Sequence, residues 1–275
     1  MYSPLLRASS PCRAIIAAAC VVLAVNTASA HATDIELPAL GDASSAVVSP
    51  YAERKLGEAW LRMFRSQVRT VSDPLLSDYL EHLVFDLAEH SQLSDARLKL
   101  VVVENPTINA FAVPGGVMGI HNGLLLYARH EDEMASVIAH ELAHLSQRHF
   151  ARGVEEARAN AVPNMLALLG SLVIAATAGG NAGMAAITAT QAAIQQQQLR
   201  FSRAHEREAD RIGHTLMSDA GFLPGGMVAM FDKLDKANRL NDSGNFPYLR
   251  SHPLTADRIA EAQARAGLDA ATRAG

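Results

Sequence analysis

The chain is almost without cysteine. Of its 275 residues only Cys12 and Cys20 are cysteines, and both lie within the first thirty positions. No thiol remains beyond them, so neither a disulfide framework nor a cysteine nucleophile is available to the rest of the protein, whatever its redox compartment. An excess of positive charge is also lacking: 24 Lys and Arg stand against 28 Asp and Glu, with no basic cluster. That removes the electrostatic footprint a nucleic-acid binder requires. There is no internal repeat, and one internal stretch, Ala159 to Leu199, has no charged residue at all.

The first thirty residues read as a targeting segment. Arg7 and Arg13 are the only charges before Asp34, an apolar run extends from Ala14 to Val25, and a small-residue site, Ala28–Ser29–Ala30, follows. This is the layout of a secretory signal peptide cleaved before His31, which places the mature protein in the periplasm. A lipoprotein reading through Cys20 is disfavoured because Ala17 stands where leucine is usual, and an uncleaved anchor because the run is short for a span. With the two arginines removed, 22 basic residues oppose 28 acidic ones, a net of −6. Residues 31–50, with Pro38, Gly41 and Pro50, suggest an extended N-terminal arm, and residues 51–275 a single domain.

That domain reads as α+β: mainly helical, with a small sheet before its most informative helix. Leu56, Trp60, Met63, Phe64 and Val68 form one helical stripe. Asp73 and Pro74 cap and start a second helix through "LLSDYLEHLVFDLAEH". "LKLVVVE" (Leu98 to Glu104) is a strand, and "NAFAVPGGVMGIHNGLL" gives two short strands around Pro114–Gly115–Gly116 with a turn at Asn122–Gly123. A helix from Glu131 to about Phe150 follows, its three leading acids matching the positive helix end.

The uncharged stretch is divided at Gly179–Gly180–Asn181 into pieces that look too short to span a bilayer, which favours two small-residue helices packed in the core or closing over a cleft. A surface touching lipid or unfolded chains stays open. Helices over Phe201 to Ala220, about Gly226 to Arg239, and from about Thr255 complete the chain.

The informative helix carries "HELAHLSQRH", residues 140–149. Positions i and i+4 are about 40° apart on a helix, so His140 and His144 project from one face and can hold one metal ion through their imidazoles. Glu141 then stands beside the ion, placed to take a proton from a water molecule held there. His149 lies about 140° further around than His144 and cannot complete the site from the same helix. Gln147 and Phe150 occupy the places where the extended metzincin pattern needs glycine and histidine. His149 therefore reads as an exposed or hydrogen-bonded helix-end residue.

A third ligand must come from elsewhere, and the segment "HEREAD" offers carboxylates. Glu206 and Asp210 share a helix face, while Glu208 points nearly the opposite way. Glu206 as ligand, with Asp210 accepting a hydrogen bond from the far nitrogen of a ligand histidine, fits a zinc site. A solvated charged face is the alternative.

At these residues the sequence resembles a known family. "HELAH" followed by "SRAHEREAD" is similar to the gluzincin metallopeptidases of the HtpX and CAAX-prenyl-protease type, whose second motif Ser202, Arg203, Glu206, Ala209 and Asp210 match place for place. The resemblance extends from "NAFAVPGGVMGIHNGLL" to "SHPLTADRI" and looks closest to a soluble periplasmic, BepA-like branch, although a helical repeat domain found in that branch has no counterpart here. It implies one Zn2+ per chain on His140, His144 and Glu206, with Glu141 as base. It also implies that His252, in the His-Pro pair, approaches the metal as a fourth ligand or switch that holds the enzyme shut. Its substrates would be unfolded or misassembled outer-membrane polypeptides, with peripheral contact to the outer membrane or its assembly machinery.

The reading is thus a periplasmic zinc endopeptidase of protein quality control. An extended substrate is expected to add to the sheet edge around Phe111, Val113, Val117 and Gly119, since main-chain pairing selects exposed segments rather than a sequence. A non-enzymatic metal-binding chaperone would share every ligand but not need Glu141. A membrane-embedded prenyl-type protease would bury the uncharged stretch in lipid.

Overall fold

The computed structural model describes residues 48–178, 180–240 and 247–274. The expected signal peptide and nearly all of the expected N-terminal arm lie outside the described residues, as does the loop 241–246.

Helix α1 spans Pro50–Gln67, its first turn capped by the Ser49 side chain, which accepts from the Ala52 N–H. Its inward face is Glu53, Gly57, Trp60, Leu61, Phe64 and Val68, whereas Leu56 and Met63 of the expected stripe are exposed. Gly57 decides which side turns inward. A Cβ there would lie 2.2 Å from the Pro114 carbonyl oxygen, so only glycine lets the helix approach the tip of the β-hairpin this closely. Helix α2 (Pro74–Glu89) is started by Pro74 and capped by Asp73, as its sequence predicts, and buries Leu80, Leu83, Val84 and Leu87.

Strands β1 (Lys99–Val103), β2 (Ala110–Val113) and β3 (Val117–His121) form one sheet in the order β1-β3-β2. β1 is parallel to β3 and β2 antiparallel to it. This corrects the expected substrate edge. Val117 and Gly119 lie on the central strand, hydrogen-bonded on both sides, and of the four expected residues only Phe111 and Val113, on β2, lie on an edge strand. The far edge of β1 is partly covered by a bridge from Thr70. Asn122–Gly123 does not form a simple turn but opens a short helix, α3 (Asn122–Tyr127).

Helix α4 (Glu131–Ser146) is the centre of the molecule: every residue from Glu133 to Ala143 is buried, as expected of a helix enclosed on all sides. It ends four residues before the expected Phe150, because the chain turns at Gln147–Arg148, where Arg148 adopts φ 50°. A non-glycine residue in that region is uncommon, and here Arg148 is held by the Glu53 carboxylate and the Val48 carbonyl. Helix α5 (His149–Ala178) then runs beside α6 (Gly180–Asp219), and α6 packs on α4. The sequence pieces on either side of Leu199 are one continuous helix.

The uncharged stretch is not in the core. Val162, Met165, Leu166, Leu169, Val173 and Ile174 of α5 are exposed, and Met184 and Leu199 of α6 with them. Nor is its first piece too short, since α5 from His149 to Ala175 is long and apolar enough by composition to cross a membrane. Helices α7 (Gly225–Leu240), α8 (Pro247–Ser251) and α9 (Ala256–Ala274) close the fold around α4 and α6.

Glu133 ties α4 to α7. It is 3% exposed, pairs with the Lys233 ammonium and accepts from the Arg129 N–H at 2.6 Å. Burial alone would raise its carboxyl pKa, but Lys233 and the backbone N–H outweigh burial and hold it below the ordinary value. Because the folded pKa is the lower one, this pair stabilises the fold above the ordinary glutamate range and ceases to as pH falls through the folded value. Glu133→Gln should therefore cost about 1–3 kcal/mol in denaturant unfolding at pH 7. The gap between the two proteins should close on acidification, and an equal gap at every pH would refute the pairing.

Candidate metal centre

Four side chains from three parts of the chain converge behind the sheet edge. His140 and His144 come from successive turns of α4, Glu206 from α6, and His252 from the loop between α8 and α9; one donor atom of each lies within 4.8 Å of all the others. Gly213 permits the two helices to meet, since a Cβ at that position would sit 3.1 Å from the His140 nitrogen.

The donor atoms are spaced as a metal requires. His140 Nε2 is 3.0 Å from His144 Nε2 and 3.2 Å from His252 Nδ1. Glu206 places an oxygen 3.4 Å from each of the α4 histidines and 3.1 Å from His252 Nδ1. A tetrahedron with zinc–ligand bonds of 2.0–2.1 Å has edges of about 3.3 Å. Three imidazole nitrogens and a carboxylate gathered in that pattern could hold a metal ion, and the residues present fit zinc.

The charges are matched further out. His140 turns Nδ1 toward Asp210 at 2.9 Å, and Arg258 of α9 binds Asp210 through Nε at 2.6 Å and Nη2 at 2.7 Å. Arg258 also reaches Glu206 at 3.0 Å and donates to the Pro253 carbonyl at 2.9 Å, so one guanidinium steadies both carboxylates and the loop that carries His252. Burial would lower the His140 pKa, but Asp210 and Glu206 outweigh it and raise it to about 9. Burial lowers His144 to about 3. Burial would raise Glu206 and Asp210, yet the neighbouring histidines hold Glu206, and Arg258 with His140 holds Asp210, below the carboxylate range.

Glu141 is not among the converging donors. It is 1% exposed, accepts from the Ala112 N–H of β2 and lies 3.4 Å from His252 Nε2. Burial raises its carboxyl pKa, which suits a group that must take up and release a proton near neutral pH. A cleft of about 330 Å³ opens in front of it, lined by Phe111, Ala112, Pro114, Glu141, His144 and His252, with Pro50, Glu53 and Arg54 on the facing wall. Asn109 pairs with His121 through the His121 N–H, and antiparallel alternation then turns the polar groups of Ala112, which lines this cleft, away from β3, whereas Ala110 is fully buried. None of the lining residues belongs to the stretch from Ala159 to Leu199, so that stretch is not the expected cover.

His149 stands outside the donor cluster, but it is not the bystander that its helical angle suggested. With α4 broken at Arg148, it is the first residue of α5, 6% exposed, and its Nδ1 is 2.8 Å from Nδ1 of His144. Glu208 does point away from Glu206, and it meets His149 Nε2 at 3.2 Å and Arg152 at 2.8 Å. Sequence reasoning also passed over Arg258, although it follows His252 by six residues, at the start of an amphipathic helix where a lone basic residue must face either solvent or a buried acid.

Comparison with known proteins agrees with this geometry. The family model for peptidase family M48 matches residues 74–266. A putative beta-barrel assembly-enhancing protease of Vibrio cholerae is 36% identical over 247 residues, covering 90% of this chain and 51% of that protein. The beta-barrel assembly-enhancing protease of Escherichia coli K12 is 35% identical over 230 residues, 84% of this chain and 47% of its own length. The mitochondrial metalloendopeptidase OMA1 of Schizosaccharomyces pombe is 31% identical over 181 residues, 66% of this chain and 50% of its own. The chain spans about half the length of the curated relatives it matches.

Arg258 is 3% exposed and compensates two buried carboxylates, so Arg258→Met should destabilise the protein by about 3–5 kcal/mol. Arg258→Lys should recover only part of this, because an ammonium cannot reproduce the two-pronged contact. Chemical denaturation of the metal-loaded protein checks both, and a Met variant as stable as the parent would dismiss the network.

Proposed function

Because this chain belongs to peptidase family M48, we propose that it is a zinc endopeptidase of the bacterial periplasm that cleaves unfolded or misassembled outer-membrane polypeptides. The observation that carries the reading is the junction of a four-donor cluster, a buried carboxylate and an unpaired strand edge in one cleft. The names of the relatives, which speak of beta-barrel assembly, support the choice of substrate.

His140, His144 and Glu206 would hold one zinc ion. Zinc bound there supplies a Lewis acid that polarises a carbonyl and makes water acidic enough to ionise near neutral pH. The protein does the rest. β2 offers main-chain groups to an extended segment, which fixes the peptide bond over the cleft while leaving its side chains largely unread. Glu141 removes a proton from the attacking water and later hands it to the departing amine, and the Ala112 N–H keeps its carboxylate turned toward that path. Asp210 fixes the His140 ring so that Nε2 presents its lone pair to the cluster.

His252 serves as a fourth ligand at rest. Its Nδ1 sits among the other donors, its ring stacks on Tyr248 at 4.8 Å, and its backbone N–H donates to the Tyr248 carbonyl at 2.8 Å. A short loop seated this way closes the position that water and substrate need. Movement of the loop opens it.

Glu141→Gln should lower cleavage of a denatured reporter protein by about 100- to 10,000-fold with zinc content unchanged. Cleavage that survives the change would sink the mechanism, and the chaperone reading would gain if client holding persisted. His252→Ala should raise basal cleavage several-fold at full zinc occupancy. Loss of both zinc and activity would make His252 a structural ligand instead of a switch.

A further inference from the structure

The two α4 histidines have different support behind them. His140 backs directly onto Asp210, but the far nitrogen of His144 meets no carboxylate: its neighbour at 2.8 Å is the Nδ1 of another histidine, His149. Two imidazole nitrogens at that distance share one proton between them, so one ring must donate and the other accept.

Glu208 determines which. Its Oε2 lies 3.2 Å from His149 Nε2 and also accepts from Arg152 Nη1 at 2.8 Å, so it is an ionised acceptor. His149 Nε2 must therefore carry the hydrogen. In a neutral imidazole the other nitrogen is then bare, and His149 Nδ1 accepts from the Nδ1–H of His144. That leaves the lone pair of His144 on Nε2, the atom that joins the donor cluster. The opposite arrangement puts a proton on His144 Nε2, pointing at the cation. The ring of His149 is held in plane for this by His205, stacked on it at 4.1 Å and 8°, with Phe201 on the far side of His205.

We propose that His149 and Glu208 are positioning residues that set the tautomer and orientation of His144 through a relay from the Glu208 carboxylate to the His149 ring and on to the His144 ring. The proposal rests on the ligand assignment made above and adds a part that neither the HExxH spacing nor the Glu206 motif contains. The break in the helix at Arg148 makes it feasible, since a continuous α4 would carry His149 around to another face.

The test is zinc affinity of the full chain, measured by competition with a chromogenic chelator, together with the kcat and KM of reporter cleavage. His149→Phe keeps the stacked ring but has no acceptor, and should bind zinc about 10- to 100-fold more weakly. His149→Asn places an amide oxygen near the lost Nδ1 and should restore most of that affinity. Glu208→Leu, at a partly exposed position, should weaken zinc several-fold by freeing the His149 tautomer. In the intact zinc-loaded protein, two-bond nitrogen–proton spectra should show His149 as the Nε2–H tautomer. His149→Phe with zinc affinity within twofold of the parent would overturn the relay, as would Asn performing no better than Phe or His149 appearing as the Nδ1–H form. His144→Ala separates the two layers: if it keeps full zinc affinity the ligand reading itself fails, whereas its loss beside an unaffected His149→Phe condemns the relay alone.

Discussion

The structure depends on compensating buried charge where α4 meets α6. Glu141, Glu206 and Asp210 are each 4% exposed or less, and no protein interior holds three carboxylates without cations or protons to match them. Arg258 answers Asp210 and Glu206 at once, and burial raises the pKa of Glu141. A divalent ion held within the histidine cluster would complete the account. The close approach at Gly213 and the enclosure of α4 on every side raise the local cost of mismatch, so the site and the core are one problem with one solution.

From that junction the sheet acquires its role. β2 contributes the Ala112 N–H to Glu141 and leaves its outer edge to the cleft, so the group that would bind a substrate backbone and the group that would move a proton are held by adjacent atoms of one strand. The cleft is fastened on its other side as well. Arg148, in its unusual backbone conformation, grips Glu53 and the Val48 carbonyl and thereby draws the start of α1 across the opening. A substrate strand entering between them would exchange water for main-chain partners on one side only, which would favour extended, unfolded segments over any particular sequence.

How much of this was legible in the sequence follows from the range of each interaction. His140, Glu141 and His144 declare themselves because helical periodicity converts spacing into direction, and Glu206 with Asp210 does so for the same reason. The strand order was not legible: β2 and β3 look alike as short alternating runs, and only the parallel return of β1 makes β3 the centre and removes Val117 and Gly119 from the edge. The end of α4 was hidden too. No glycine or proline marks Arg148, whose left-handed backbone is imposed by partners from the other end of the chain. Angular reasoning on an unbroken helix therefore excluded His149 as a ligand for a reason that does not hold, and missed what the break permits. The burial of the uncharged stretch was misjudged for a related reason, since apolar composition reports what a surface excludes and not which surface it covers.

The two α4 histidines of the cluster meet unlike partners, and in the proposed metal site the difference would have a chemical consequence. A carboxylate behind His140 would add electron density to its ring and make it the stronger donor. In the proposed relay the ring behind His144 would be a neutral acceptor, which fixes orientation while adding little charge. A site with two carboxylate-backed histidines beside Glu206 would surround the cation with three negative groups and blunt its power to polarise a carbonyl. Replacing one of those carboxylates by a relayed imidazole holds the geometry yet keeps the charge on the distant Glu208, where Arg152 neutralises it. The helix break at Arg148, which looks like a local irregularity, would thus be the feature that lets the proposed centre be rigid without being over-supplied with negative charge.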